Sequence, residues 1–116
     1  MKTILVMERG DTLVLLDRIL HRDYHVTRSG YLLSLADIST LRPDLILLDH
    51  GLVGSDPGSL CISLKSNAAT RHIPLILLSL PPFIATIAIT FRADAYMEMP
   101  FDIYNMASII HKYVWI

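Results

Sequence analysis

The sequence is poor in charged residues and has almost no cysteine. Only 18% of its 116 residues are charged, and 10 lysine and arginine residues nearly balance 11 aspartate and glutamate residues. The resulting net charge of -1 predicts no direct binding to nucleic acid or to an anionic membrane. The single cysteine, Cys61, excludes an internal disulfide framework and suits a reducing compartment, so we expect a cytoplasmic protein.

The sequence also lacks any tract that would divide it or anchor it in a membrane. No linker, repeat or low-complexity segment is visible, which predicts one domain over residues 1–116. The uncharged stretch 73–91 is nearly long enough to span a bilayer, but Pro81 and Pro82 cannot lie inside one continuous helix. The five histidines show no paired zinc spacing. Because 53% of the residues are apolar, the chain can bury a core, which excludes intrinsic disorder.

Short apolar runs of strand length alternate along the chain with segments of helical spacing. The predicted strands cover residues 3–7, 25–29, 45–49, 74–79 and 95–97. The predicted helices cover a segment capped by Asp11, then residues 31–40, 59–66 and 82–91, and last a helix capped by Asp102 that runs to about residue 114. Five strands alternating with five helices predict an α/β fold with a parallel sheet covered on both faces.

Polar side chains follow three of the predicted strands where each strand ends. In a parallel sheet, ligands bind beyond the carboxyl ends of the strands. Asp49 ends the third strand, either as a loop-starting residue that accepts hydrogen bonds from nearby amides or as an exposed nucleophilic or metal-binding carboxylate. Glu8 follows the first strand, and two carboxylates placed together can hold a hard cation such as Mg²⁺. Ser79 ends the fourth strand and would place a hydroxyl group near the same edge.

Four segments of the chain resemble the receiver domain of two-component response regulators. They are ILVME at 4–8, PDLILLD at 43–49, RHIPLILLS at 71–79 and ADAYMEMPFD at 93–102. The resemblance covers the whole chain in one register, including the length of every connection. It implies a flavodoxin-like receiver fold: a single doubly wound, five-stranded parallel sheet of order 2-1-3-4-5, flanked by five helices.

The resemblance also implies a function for the residues at the strand ends. Asp49 would accept a phosphoryl group from a sensor histidine kinase or a phosphotransfer protein. Glu8, Asp49 and the backbone carbonyl of Gly51 would bind Mg²⁺. Ser79 would follow the phosphoryl group and Tyr96 would turn inward. That change would alter the surface of the fourth helix, fifth strand and fifth helix, where a downstream effector or a fused output domain binds, so the chain itself would not be an enzyme.

Positions 7 and 99 depart from the family pattern at this site. Met7 replaces the first member of the family's acidic pair and cannot ligate Mg²⁺ or its water shell as an oxygen donor would. Met99 replaces the lysine of a Lys-Pro pair, and losing such a positive charge typically costs about 3 kcal/mol of transition-state stabilisation. Two interpretations therefore stay open. The chain is either a working receiver that is phosphorylated slowly, or a degenerate pseudo-receiver that acts by dimerising or by binding a partner without phosphoryl transfer.

The predicted fourth helix is unusually apolar for an exposed helix. Phe83 and Ile87 on this helix, with Tyr104 on the fifth, are candidates for a homodimer or partner surface. The alternative is that they are ordinary scattered surface residues.

Two other kinds of protein, a phosphatase and a flavin-binding domain, fit the sequence less well. Phosphatases of the haloacid-dehalogenase type need a second aspartate where Gly51 stands. A flavin-binding domain needs a phosphate-binding loop after the first strand, and residues 8–11 make a poor one.

Overall fold

The computed structural model describes residues 1–52, 56–80 and 84–115, in which strands and helices alternate. The strands are β1 (Thr3–Met7), β2 (His25–Ser29), β3 (Leu45–Asp49), β4 (Leu75–Ser79) and β5 (Ala95–Glu98). The helices are α1 (Gly10–Leu20), α2 (Leu35–Leu41), α3 (Pro57–Ser66), α4 (Ile84–Thr90) and α5 (Ile103–Val114).

All five strands pair in parallel, in the order β2-β1-β3-β4-β5, which confirms the predicted flavodoxin-like architecture. In the register of the central strands, Met7 lies opposite Leu48, and Asp49 lies opposite Leu78. The carboxyl ends of β1, β3 and β4 therefore meet at one edge of the sheet. Within the described residues, no helix has the length and apolar character needed to cross a bilayer.

The core forms two layers, one on each face of the sheet, because side chains alternate along each strand. We call the first the α3/α4 layer; its buried residues include Leu5, Met7, Leu48, Cys61, Leu64, Leu77, Ile84 and Ala88. We call the second the α1/α5 layer; its buried residues include Val6, Leu16, Leu47, Leu78, Met97, Met106 and Ile110. Both layers include the residues that directly precede the strand ends at the carboxyl edge, so the site lies on closely packed residues.

The starts of α1 and α2 differ from the sequence-based expectation. Helix α1 begins at Gly10, and Arg9 occupies the N-cap without a side-chain hydrogen bond; Asp11 lies in the first turn and is not the cap. Helix α2 begins at Leu35 and not at residue 31, because the Ser34 hydroxyl oxygen accepts a hydrogen bond from the Asp37 N–H at 3.0 Å.

The remaining element bounds differ by a few residues. Helix α3 begins at Pro57 and not at residue 59, because the Asp56 carboxylate accepts a hydrogen bond from the Ser59 N–H at 3.1 Å. Proline is well suited to this first turn, where its missing N–H has no helical partner. Strand β4 starts one residue later than predicted, at Leu75, and β5 ends one residue later, at Glu98. The predicted start of the fourth helix at residue 82 lies outside the described residues.

Candidate functional site

The three polar residues predicted to converge all lie at the carboxyl edge of the central strands. Glu8 directly follows β1, Asp49 is the last residue of β3, and Ser79 is the last residue of β4. Backbone hydrogen bonds fix these positions: the Glu8 N–H donates to the Ser29 carbonyl at 3.1 Å, and the His50 N–H donates to the Leu78 carbonyl at 2.9 Å. The sheet therefore sets the spacing of the site.

The carboxyl groups of Glu8 and Asp49 are in contact. Glu8 is only 5% exposed, and its side chain shares a hydrogen bond with that of Asp49. Oε1 of Glu8 also accepts a hydrogen bond from the Arg9 N–H at 2.8 Å. Burial, reinforced by the hydrogen bond and the negative charge of Asp49, raises the pKa of Glu8 from 4.5 to about 7. Around neutral pH a large share of the Glu8 carboxyl groups therefore hold a proton that they donate to Asp49.

Asp49 is half-buried. Its Oδ1 accepts a hydrogen bond from the Gly51 N–H at 2.9 Å, the local bond typical of a loop-starting aspartate. A Cβ atom added to Gly51 would lie 3.4 Å from the same oxygen, so the loop passes close to the carboxylate. Asp49 therefore makes the local hydrogen bond expected of a loop-starting aspartate, in addition to its contact with Glu8.

Ser79 lies beside Asp49 at the edge but projects from the other side of the sheet. Leu75 and Leu77, which precede it at alternate positions, enter the α3/α4 layer, whereas Leu47, two residues before Asp49, enters the α1/α5 layer. The Ser79 hydroxyl group donates to the Leu80 carbonyl in a long hydrogen bond of 3.4 Å. In the described part of the chain, no hydrogen bond joins Ser79 to Asp49, so the predicted convergence holds for the strand ends and for the Glu8–Asp49 pair only.

The two methionines at the site belong to the apolar packing. Met7 is fully buried in the α3/α4 layer. Met99 is half-buried against the α1/α5 layer, and its N–H donates to the Ser79 carbonyl at 2.8 Å. Met99 therefore packs on the side of the sheet that carries Glu8 and Asp49. Among the described ion pairs, none joins a lysine or arginine to either carboxyl group.

The donor set is small but chemically suited to Mg²⁺. Across residues 1–52, 56–80 and 84–115, no three histidine, cysteine or acidic side chains gather at one place. Mg²⁺ commonly takes only one or two carboxylates and keeps several waters, which is what Glu8 and Asp49 offer. The sequence did not reveal that Glu8 would be buried and would have to release a proton before it could act as a ligand.

The predicted surface residues lie in different environments. Tyr96 on β5 is 43% exposed and Tyr104 on α5 is 87% exposed, whereas Ile87 is half-buried against the α3/α4 layer. Phe83 lies outside the described residues. Ile89, part of the apolar run of α4 that the sequence showed, is 80% exposed.

Comparisons with known proteins give structural matches only. No protein-family model matches the chain, and no curated protein matches it in sequence. It is similar to the signal receiver domain of a signal transduction histidine kinase from Syntrophus aciditrophicus (27% identity, TM-score 0.86, 98% of this chain and 90% of that chain). It is also similar to a response regulator receiver modulated diguanylate cyclase from Pelobacter carbinolicus (28% identity, TM-score 0.80, 98% and 92%).

A third similar structure contains a metal ion. It is the receiver domain of a sensor histidine kinase from Pseudomonas aeruginosa, with magnesium coordinated in its active-site cleft (19% identity, TM-score 0.87, 99% of this chain and 98% of that chain). These matches confirm the resemblance deduced from the sequence. The fold is that of the receiver domains of response regulators.

Proposed function

We propose that this chain is a receiver of two-component signalling in which Asp49 accepts a phosphoryl group from a sensor histidine kinase or a phosphotransfer protein. The observation that supports this most is the position of Asp49: a half-buried aspartate that ends the central strand of a receiver fold, with its carboxyl group against that of Glu8. In the transfer, an Asp49 oxygen forms a bond to phosphorus while the bond between phosphorus and the donor's histidine nitrogen breaks.

Mg²⁺ is part of this proposal. Glu8 and Asp49 would hold the ion together with the carbonyl of Gly51, and the magnesium in the Pseudomonas aeruginosa neighbour supports that choice of metal. The ion would neutralise negative charge on the phosphoryl oxygens. Because Glu8 binds a proton up to about neutral pH, it must deprotonate first, and we expect weak Mg²⁺ binding that strengthens as the pH rises.

The two methionines predict that phosphorylation is slow. Met99 leaves an apolar side chain on the Asp49 side of the sheet, so no ammonium group stabilises the charge that develops on the phosphoryl oxygens. Met7 contributes packing and no oxygen ligand. Ser79, one strand away from Asp49, would reach the phosphoryl group only after its hydroxyl turns from the Leu80 carbonyl.

The same two residues support the second candidate function, a pseudo-receiver that binds partners without phosphoryl transfer. Both methionines are integrated into the core layers, as expected of a site that has been converted into packing. In either case we propose that an effector, an output domain or a second copy of the chain binds the α4–β5–α5 surface, which we define by the exposed side chains of Ile89, Tyr96, Ile103 and Tyr104.

Treatment with acetyl phosphate and Mg²⁺, followed by intact-protein mass spectrometry, separates the two candidates. A working receiver gains the mass of one phosphoryl group, more slowly than an ordinary receiver treated in parallel. The Asp49→Asn variant gains none, whereas Asp44→Asn, altered at the opposite edge of the sheet, behaves as the wild type. If the wild type stays unmodified while the ordinary receiver is fully modified, the phosphoacceptor proposal is wrong and the pseudo-receiver remains.

A further inference from the structure

His50, the residue after Asp49, is tied to the same strand ladder but faces the other side of the sheet. Its N–H donates to the Leu78 carbonyl at 2.9 Å, so the β3–β4 pairing extends one residue past Asp49. The side chain is half-buried, and its ring stacks on the ring of Phe91 with centroids 5.7 Å apart and planes inclined by 23°. Asp49 and His50 thus place a carboxylate and an aromatic ring on opposite sides of one rigid segment.

Phe91 connects this segment to α4. Its N–H donates to the Ile87 carbonyl at 3.0 Å, which continues the helix by one residue, and its side chain packs against the α3/α4 layer. The ring also lies against the first turn of α3, since a Cβ atom added to Gly58 would lie 2.6 Å from two of its carbons. The ring therefore touches both His50 and the backbone of Gly58, and has little room to move independently of either.

We propose that the stacked rings of His50 and Phe91 carry a change at Asp49 to α4. This inference rests on the proposed function for its signal. In this proposal His50 is a positioning residue. The coupling passes through the His50–Phe91 stack on the α3/α4 side of the sheet and involves neither Ser79 nor Tyr96.

The physical reason is the stiffness of the packing around the pair. Asp49 and His50 share a peptide bond, and the pairing with β4, which places Asp49 opposite Leu78 and continues through the His50 N–H, prevents the strand end from absorbing a displacement by rotating freely. Packed interiors transmit small shifts because they are difficult to compress. A displacement of the Asp49 backbone therefore moves the His50 ring, and the ring moves the end of α4.

Two-dimensional NMR tests this without any phosphoryl transfer. Asp49→Asn changes the carboxylate, and we expect it to shift the amide signals of Glu8 and Arg9 and also those of residues 84–91. In the His50→Ala background the response of 84–91 to Asp49→Asn should fall by about threefold or more, while the response of Glu8 and Arg9 stays the same. His50→Phe keeps a ring for stacking and should restore the response of α4.

Phe91→Leu removes the other ring and should give the same loss as His50→Ala. An undiminished response of 84–91 in both ring-deleted backgrounds overturns the inference, and so does a wild-type α4 that fails to respond to Asp49→Asn. Either result would leave the acetyl phosphate experiment unaffected. Conversely, absence of phosphorylation would not change what these variants report, so the two proposals fail separately.

Discussion

The carboxyl group of Glu8 shares a hydrogen bond with the carboxyl group of Asp49 at the carboxyl edge of the sheet. Two adjacent carboxylates cannot both be charged at low cost when one of them is buried, so the pair holds a proton that isolated side chains would have released. Under the proposed function, a proton, Mg²⁺ and a phosphoryl group would therefore compete for the same small set of oxygens.

This relationship predicts that the Glu8–Asp49 pair makes the fold less stable as the pH rises. The folded pKa of Glu8, about 7, lies above its ordinary value of 4.5, so the stabilisation from protonation is complete below pH 4.5 and is lost as the pH passes 7. We expect Glu8→Gln to remove this loss and to be more stable than the wild type by about 2 kcal/mol at pH 8. Urea unfolding at pH 5 and pH 8 measures the difference.

The matched control for this prediction is Glu98→Gln. Glu98 is an exposed carboxylate at the same edge of the sheet, and its substitution should leave the wild-type pH dependence in place. If Glu8→Gln and the wild type lose stability in parallel between pH 5 and pH 8, Glu8 does not hold the extra proton.

Met99→Lys should accelerate the modification of Asp49 by acetyl phosphate. The substitution places an ammonium group on the Asp49 side of the sheet, where charge develops during transfer. A donor of this kind is commonly worth about 100-fold in rate, and we expect at least a 10-fold gain, roughly 1.4 kcal/mol. Glu98→Lys adds more positive charge one residue away but on an exposed position, and should change the rate far less. Equal acceleration by both variants would indicate a general charge effect.

Met7→Asp should destabilise the protein, although it restores the family's acidic pair. Met7 is fully buried among apolar side chains, and a carboxylate there has no partner to offset its desolvation. We expect a loss of about 3 kcal/mol or more of unfolding free energy, against less than about 1.5 kcal/mol for Met7→Leu. Thermal or urea unfolding distinguishes these outcomes. A stable Met7→Asp variant with stronger Mg²⁺ binding would mean that position 7 can still open towards the site.

The ion pair between Lys65 and Asp94 should contribute much more to stability than the pair between Lys2 and Asp44. Lys65 Nζ lies 2.8 Å from Asp94 Oδ2 and also donates to the Ile73 carbonyl at 3.0 Å, with a side chain only 12% exposed. The Lys2 pair is 4.0 Å long and both side chains are more than a third exposed. We expect Lys65→Met to cost about 2 kcal/mol and Lys2→Met less than about 0.5 kcal/mol in urea unfolding. Similar costs would contradict this ranking.

The sequence predicted the strands better than the helices for a physical reason. Buried parallel strands are short apolar runs, so β1 and β3 were predicted to the residue, and the carboxylate at the end of β3 stood out against that run. Helix starts depend on single capping bonds. Ser34 and Asp56 supply them here, and neither differs in type from polar residues that do not cap.

Within the site, the sequence revealed which residues lie at the edge but not how they interact. The shared hydrogen bond of Glu8 depends on how deeply the fold buries it, and the stack of His50 on Phe91 joins residues 41 positions apart. Both follow from tertiary packing, which local sequence patterns do not predict. Met7 and Met99 were recognised as departures only through the resemblance; the structure adds that both are part of the packing.

The proposed function depends above all on Asp49 being able to hold a phosphoryl-like group. Addition of beryllofluoride and Mg²⁺ to the ¹⁵N-labelled protein tests this most directly, because the complex forms on the acceptor carboxylate without a kinase. We expect shifts of the Glu8, Asp49 and Ser79 amide signals that are absent in Asp49→Asn. A wild-type spectrum that stays unchanged, at concentrations that saturate an ordinary receiver, would contradict the claim that Asp49 is a phosphoacceptor.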